Sequence, residues 1–212
     1  MGIINHPVKL GKLVNEFNLK NFVESGTGTG DSMKVVVNGR LFKNYYGIEL
    51  EKFYIEQLEK TFEDEVKFYN GYSKDEMENV LDDLDTCPTL FWLDAHFPGS
   101  DYKHLPYDSI KDETIRIPLE IELEIISKTR DISKDIFIID DLRVYKDGDY
   151  EDGGPWVHRK TAGAKNCDFI EKLIGKTHIL VEHYRDQGYI IAFPIDSKEY
   201  AIKSTIVWDG EY

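Results

Sequence analysis

Apolar positions along the chain follow two alternating rhythms. Short dense runs, "FVES", "YYGIEL", "EVKFYNG", "TLFWLDA" and "DIFIIDD", are separated by stretches whose apolar residues recur at helical spacing. Short runs rich in β-branched and aromatic residues read as strands, and spacings of three and four read as helices. "KFYIEQLEKTF" is a helix by this test, and so is "PLEIELEIISK", with Pro118 at its first turn. Asp31 and Ser32 offer caps for a helix running through Val37, and Ser73 with Glu76 matches a capping box opening "KDEMENVLDDL". "AKNCDFIEKLIGK" is a further helix. "HILVEHY" and "YIIAFP", joined by "RDQG", read as an antiparallel hairpin at one edge, and the tail "YAIKSTIVW" offers another strand. The alternation predicts an α/β fold with a mostly parallel sheet and helices on both faces, "TLFWLDA" being apolar on both sides as a central parallel strand is.

Two polar segments interrupt the rhythm, Pro98 to Arg116 and Leu142 to Gly163. Both are long for connections in a compact domain, which marks them as functional or mobile. The first carries Tyr102, His104 and Tyr107, and the second carries Trp156, His158 and Arg159. Their aromatic and polar side chains make the two loops candidates to cover a bound ligand.

Composition narrows the function classes. The 212 residues suit one domain, 1–212, with a full core. No apolar run nears the ~20 residues of a membrane span, and the N-terminus lacks a signal-peptide core. Two cysteines, Cys87 and Cys167, give neither a disulfide framework nor a metal cluster, so a reducing, cytoplasmic setting is expected. The formal net charge of −14, with no dense Lys/Arg run, disfavours nucleic acid and favours a neutral or cationic substrate.

Chemistry concentrates at the strand ends. "ESGTGTG" follows the first strand with Gly26, Gly28 and Gly30 at alternate positions behind Glu24. A bare turn there lets a ligand approach backbone, and the following helix offers free N–H groups. Dinucleotides use this corner for a pyrophosphate, typically with G-x-G-x-x-G spacing. S-adenosylmethionine brings a sulfonium and an amino group instead, which suit an acidic strand end; the spacing and Glu24 favour it. Glu49 ends the second strand, where a carboxylate can accept from both ribose hydroxyls of either cofactor. Asp94 and the pair Asp140 and Asp141 end the fourth and fifth strands, and neighbouring strand ends line one crevice. Three carboxylates there repel one another unless a cation or hydrogen-bond donors compensate, and oxygen ligands suit Mg²⁺, Mn²⁺ or Ca²⁺.

With these motifs the sequence resembles class I S-adenosylmethionine-dependent methyltransferases over roughly Phe22 to Pro194. "ESGTGTG" looks like their motif I, "GIELE" like the acidic motif after it, and "YNGYS" stands at their adenine-side loop, with Tyr72 where Asp is usual. The resemblance implies a Rossmann-like sheet and a cofactor site with Glu24, Ser25, Gly26, Thr27, Gly28 and Gly30 in the first turn. Asp31 and Ser32 would open the helix, Glu49 and Leu50 hold the ribose side, Gly71, Tyr72 and Ser73 the adenine side, and Asp94 would close the site. The acidic set looks like that of metal-dependent, macrocin-type sugar O-methyltransferases, which implies a Mg²⁺ or Mn²⁺ site of Asp94, Asp140 and Asp141, with Asp94 and His96 as catalytic residues and His96 as base. A looser likeness to small glycan methyltransferases of large algal viruses implies a terminal deoxyhexose such as rhamnose as acceptor, and the host cytoplasm as location.

The expected activity is therefore methyl transfer from S-adenosyl-L-methionine to a sugar hydroxyl, of a small molecule or a glycan. A catechol-type O-methyltransferase, a non-catalytic S-adenosylmethionine-binding module and, more distantly, an NAD-dependent oxidoreductase are the rivals. The sequence leaves the oligomeric state open, a homodimer being one candidate.

Overall fold

The computed structural model describes residues 7–96, 112–151 and 166–199. Strands form where the dense apolar runs stand: β1 Asn21–Ser25, β2 Asn44–Glu49, β3 Lys67–Asn70, β4 Thr89–Leu93, β5 Ile136–Ile139, β6 His178–His183 and β7 Tyr189–Pro194. They make one seven-stranded sheet in the order β3-β2-β1-β4-β5-β7-β6. β1 to β5 are parallel, β7 pairs antiparallel with β5, and β6 pairs antiparallel with β7 at the edge. The parallel sheet with an antiparallel terminal hairpin is the expected architecture.

Register explains why the central strands are apolar throughout. Val23, Phe91, Leu93, Phe137 and Ile139 face one layer, packed with Met77, Leu123, Ile126 and Ile170. Phe22, Leu90, Trp92, Ile136 and Ile138 face the other, packed with Leu13, Met33, Val36 and Leu58. The first layer is supplied by α4 (Ser73–Asp83), α6 (Leu119–Thr129) and α7 (Asp168–Ile174). The second is supplied by α1 (Pro7–Glu16), α2 (Asp31–Asn38) and α3 (Lys52–Phe62). A sheet buried on both faces leaves its strand ends as the surface where polar groups can gather.

The expected caps differ from those found. Gly30, at φ 76°, is the N-cap of α2, and Asp31 is its first residue, bonded to the Thr29 hydroxyl at 2.8 Å and to Lys34 at 2.9 Å. Tyr72 is the N-cap of α4, without a side-chain cap, so Ser73 lies inside the helix. Glu76 bonds Asn79 instead of closing a capping box. Pro118 is the N-cap of α6 rather than a residue of its first turn. At α2 and α4 backbone geometry, supplied by the left-handed Gly30 and the extended Tyr72, starts the helix one position before the polar side chain.

Two helices were not expected. α1 covers the second layer with Leu10, Leu13 and Val14, and α5 (Glu113–Arg116) is capped by Asp112, whose carboxylate accepts from Thr114 N at 2.9 Å. The tail strand, Tyr102, His104, Tyr107, Trp156, His158 and Arg159 lie outside the described residues. Among the described residues, no helix is long and apolar enough to cross a membrane.

Phe91 and Phe137 stack at the sheet centre with ring centroids 5.2 Å apart, both fully buried. Phe137→Ala removes that stack and leaves a cavity, so urea unfolding should show a loss of about 3–5 kcal/mol.

Candidate active site

Five backbone hydrogen bonds shape the crevice at the carboxyl ends of the strands. Gly26 N and Thr27 N both donate to Ile48 O at 3.0 Å, tying the glycine turn to β2. Asp94 N donates to Ser25 O and Asp140 N to Leu93 O, each at 3.1 Å, so both aspartates continue the sheet ladder. Gly71 N donates to Glu49 O at 3.1 Å and draws the end of β3 into the same corner. Asn70 adds bonds from its side-chain amide to Glu49 O at 3.0 Å and Leu50 O at 2.9 Å.

The glycine turn needs its glycines for different reasons. Gly26, Gly28 and Gly30 have φ of 76°, 56° and 76°, where only glycine sits without strain. At Gly26 a Cβ would also lie 2.7 Å from the Asp94 carbonyl oxygen. Gly26 is therefore required by the approach of β4 as well as by any ligand.

Glu49 is buried and already holds this turn. Its Oε2 accepts from Gly28 N and its Oε1 from Glu51 N, both at 2.7 Å. Each oxygen keeps a second lone pair, so the same carboxylate can still accept from a ligand hydroxyl. Burial raises its pKa, and these N–H bonds oppose the rise. Glu24, on β1 beside it, is pushed well up by burial and by the charge of Glu49, while the Ser32 and Thr27 hydroxyls pull it down.

The acidic group at β4 and β5 is equally crowded. Burial and then the charges of Asp140, Asp141 and Glu24 push Asp94 well up, and burial with Asp141 pushes Asp140 up to about 7. Asp141 sits at φ 55°, a left-handed conformation uncommon for a residue other than glycine. Its N–H donates to Asp140 Oδ1 at 2.8 Å, and its Oδ2 lies 2.5 Å from His96 Nε2. Burial disfavours the charge on Asp141, but His96 outweighs it and holds the carboxylate below its usual range. Burial likewise opposes the imidazolium, and Asp141 overrides it, so the pKa of His96 is raised.

His96 Nδ1 stands 3.1 Å from the Asp94 carbonyl oxygen, which can only accept, so this nitrogen carries a proton. Asp94, His96 and Asp141 each bring one ligand atom within 4.8 Å of the others. Asp140 lies beside this set, its Oδ1 taken by Asp141 N. Asp94 Oδ1 faces His96 Nδ1 at 3.4 Å and Asp141 Oδ1 faces Arg143 Nε at 3.4 Å, while the buried Asp140 Oδ2 has no hydrogen-bond partner.

The remaining candidates line the same corner. Ser25 is buried behind Gly26, Leu50 follows Glu49, and Tyr72 and Ser73 open α4 next to Gly71. Sequence reasoning missed three nearby groups. Arg143 Nε stands 3.4 Å from Asp141 Oδ1, and Asn70 ties β3 to β2. Glu122 is fully buried on α6; its one signal is a carboxylate within the stripe of Leu119, Leu123 and Ile126.

No family model matches the chain, and the comparison with curated proteins finds no match. Solved structures do share the fold. A Staphylococcus aureus protein assigned as a caffeoyl-CoA O-methyltransferase superposes with a TM-score of 0.61 at 20% identity, covering 92% of this chain and 85% of that one. An O-methyltransferase from Bacillus cereus, in complex with S-adenosylhomocysteine, gives 0.56 at 12% identity over 92% and 82%. The O-methyltransferase TomG of tomaymycin synthesis from Streptomyces achromogenes, in complex with S-adenosylmethionine, gives 0.55 at 16% identity over 92% and 81%. The chain has the fold of class I methyltransferases.

Gly26→Ala should cost more stability than Gly28→Ala in denaturant unfolding. Left-handed strain alone is worth about 1–3 kcal/mol at either position, and the overlap with the Asp94 carbonyl adds to it at Gly26. Glu49→Ala should destabilise the ligand-free protein as well, by about 1–3 kcal/mol, because two N–H groups lose a charged acceptor.

Proposed function

We propose that the protein is an S-adenosylmethionine-dependent O-methyltransferase that methylates a sugar hydroxyl, of a small molecule or a glycan, with a bound Mg²⁺ or Mn²⁺. The observation that carries this reading is the group of Asp94, His96 and Asp141, each with one ligand atom within 4.8 Å of the others, beside the glycine turn and Glu49, with Asp140 adjoining it. The carboxylates of Asp94, Asp140 and Asp141, all buried, suit a hard divalent cation. A non-catalytic cofactor-binding module has no use for such a set.

S-adenosylmethionine supplies a methyl group already activated by its sulfonium, and a cation in the acidic set would lower the pKa of the acceptor hydroxyl. The chain's own residues do the rest. Glu49 accepts from the ribose, Gly26 and Gly28 admit the cofactor to the backbone, and Glu24 offers negative charge to its cationic end. The acceptor oxygen forms the new O–CH₃ bond as the S–CH₃ bond breaks, and its proton must leave. His96 takes that proton. Its Nδ1–H is fixed on the Asp94 carbonyl, so Nε2 is the nitrogen that accepts; without ligands Nε2 carries a proton toward the ionised Asp141, and that proton must leave before His96 acts as base. Nε2 cannot be base and metal ligand at once. The orphaned Asp140 Oδ2 offers a third oxygen in its place, which leaves His96 for the base role.

A second reading has a specific observation behind it. The Staphylococcus aureus structure is assigned to the caffeoyl-CoA O-methyltransferases, which points to a catechol-type diol as acceptor. The two readings share the cofactor and cation sites and differ in the acceptor. A panel of deoxyhexosides, rhamnosides first, against catechols, with product mass as the readout, separates them; transfer to catechols alone would reject the sugar reading.

Chelation should abolish transfer, and Mg²⁺ or Mn²⁺ should restore it; full activity after exhaustive chelation would remove the cation from the account. His96→Ala should lower turnover by about 10²–10⁴-fold with S-adenosylhomocysteine affinity nearly unchanged. A rate within a few-fold of the parent, normalised to folded protein, would make His96 a packing residue.

A further inference from the structure

The turn "RDQG" between β6 and β7 does more than close an edge hairpin. Two of its carbonyl oxygens reach across to the loop that leaves β5. Gly188 O accepts from Leu142 N at 2.9 Å, and Gln187 O accepts from Arg143 N at 3.1 Å. Both donors follow directly on Asp141, so the hairpin grips the chain next to the acidic group.

The side chains repeat this link. The Arg143 guanidinium donates to Gln187 Oε1 at 2.5 Å, and its Nε forms an ion pair with Asp141 Oδ1 at 3.4 Å. The other carboxylate oxygen, Oδ2, faces His96 Nε2. Asp141 therefore stands between two cationic groups, one on each oxygen. The proposed reaction treats them differently. It frees His96 as base and gives Oδ2 to the cation, so Arg143 on Oδ1 is the ion pair that remains. A guanidinium beside a cation ligand otherwise carries a cost, because like charges repel. Its place there requires a compensating role.

We propose that Arg143, braced by Gln187 of the β6–β7 turn, is a positioning residue that fixes the Asp141 carboxylate with Oδ2 presented to the crevice. This rests on the cation reading above. Arg143 touches no reacting atom and acts through Asp141, and Gln187 acts through Arg143. Groups that orient a ligand side chain are typically worth about 10–100-fold in metal affinity. Charge alone predicts the opposite sign, since deleting a cationic side chain beside the site would tighten cation binding.

The test is Mn²⁺ affinity, followed by electron paramagnetic resonance with S-adenosylhomocysteine present, together with thermal melting of the full chain. Arg143→Met should bind Mn²⁺ at least about 10-fold more weakly than the parent, although it removes a positive charge. Gln187→Ala leaves every charge in place and should weaken binding in the same direction, by about 3-fold or more. The double variant should bind about as weakly as Arg143→Met alone, since groups acting as one unit are non-additive. Unchanged or tighter Mn²⁺ binding by folded Arg143→Met would overturn the proposal. Should Arg143→Met fail to fold, Gln187→Ala decides, and parent-like Mn²⁺ affinity in that variant would overturn it equally. Absence of Mn²⁺ binding by the parent would overturn the cation reading first and this one with it.

Discussion

Repulsion among buried carboxylates is the constraint on which the rest of this structure turns. Glu24, Glu49, Asp94, Asp140 and Asp141 are all nearly inaccessible to water, and they stand at the ends of four strands of one parallel sheet. Burial raises Glu24, Glu49, Asp94 and Asp140, and in three of these a neighbouring carboxylate in the same group adds to the rise. His96 and Arg143 offset part of the charge, chiefly at Asp141. A core designed for stability alone would fill these positions with apolar side chains. The site therefore reads as a receptacle for positive charge, met in our account by the cofactor sulfonium and amine on one side and a divalent cation on the other.

The fold supplies the rigidity such a site requires. Both faces of the sheet are covered by apolar layers, so the strand ends cannot relax outward without exposing Phe91, Phe137 or Trp92. Ladder bonds carry the sheet one residue further, to Asp94 and Asp140. Glu49 then performs two tasks, bracing the glycine turn through Gly28 N while keeping lone pairs for a ligand. Gly26 likewise serves packing and access together. Preorganisation of this kind places the polar groups before any ligand arrives, which is how a site of fixed dipoles favours one geometry.

Much of this was legible in the sequence because it depends on period and position. The seven strands stand where β-branched and aromatic runs stand, and the carboxylates at their ends follow from the rule for open α/β sheets. What escaped depends on backbone geometry or on contacts distant in sequence. The caps of α2 and α4 shifted because Gly30 and Tyr72 adopt the required dihedrals, not because Asp31 or Ser73 donate or accept. α1 was missed because its stripe of Leu10, Leu13 and Val14 gains meaning from the sheet face it covers. Glu122 escaped because the burial of its stripe on α6 depends on packing against the sheet, distant in sequence. The left-handed Asp141 that faces His96 has no sequence signature either.

Direct measurement of cation binding tests the central claim most closely. Mn²⁺ is titrated into the protein with S-adenosylhomocysteine present, and free Mn²⁺ is followed by electron paramagnetic resonance. The account predicts one bound Mn²⁺ per chain, lost in Asp94→Asn and in Asp140→Asn variants that melt at or above the parent temperature. No bound Mn²⁺, or binding unchanged in both folded variants, would contradict it.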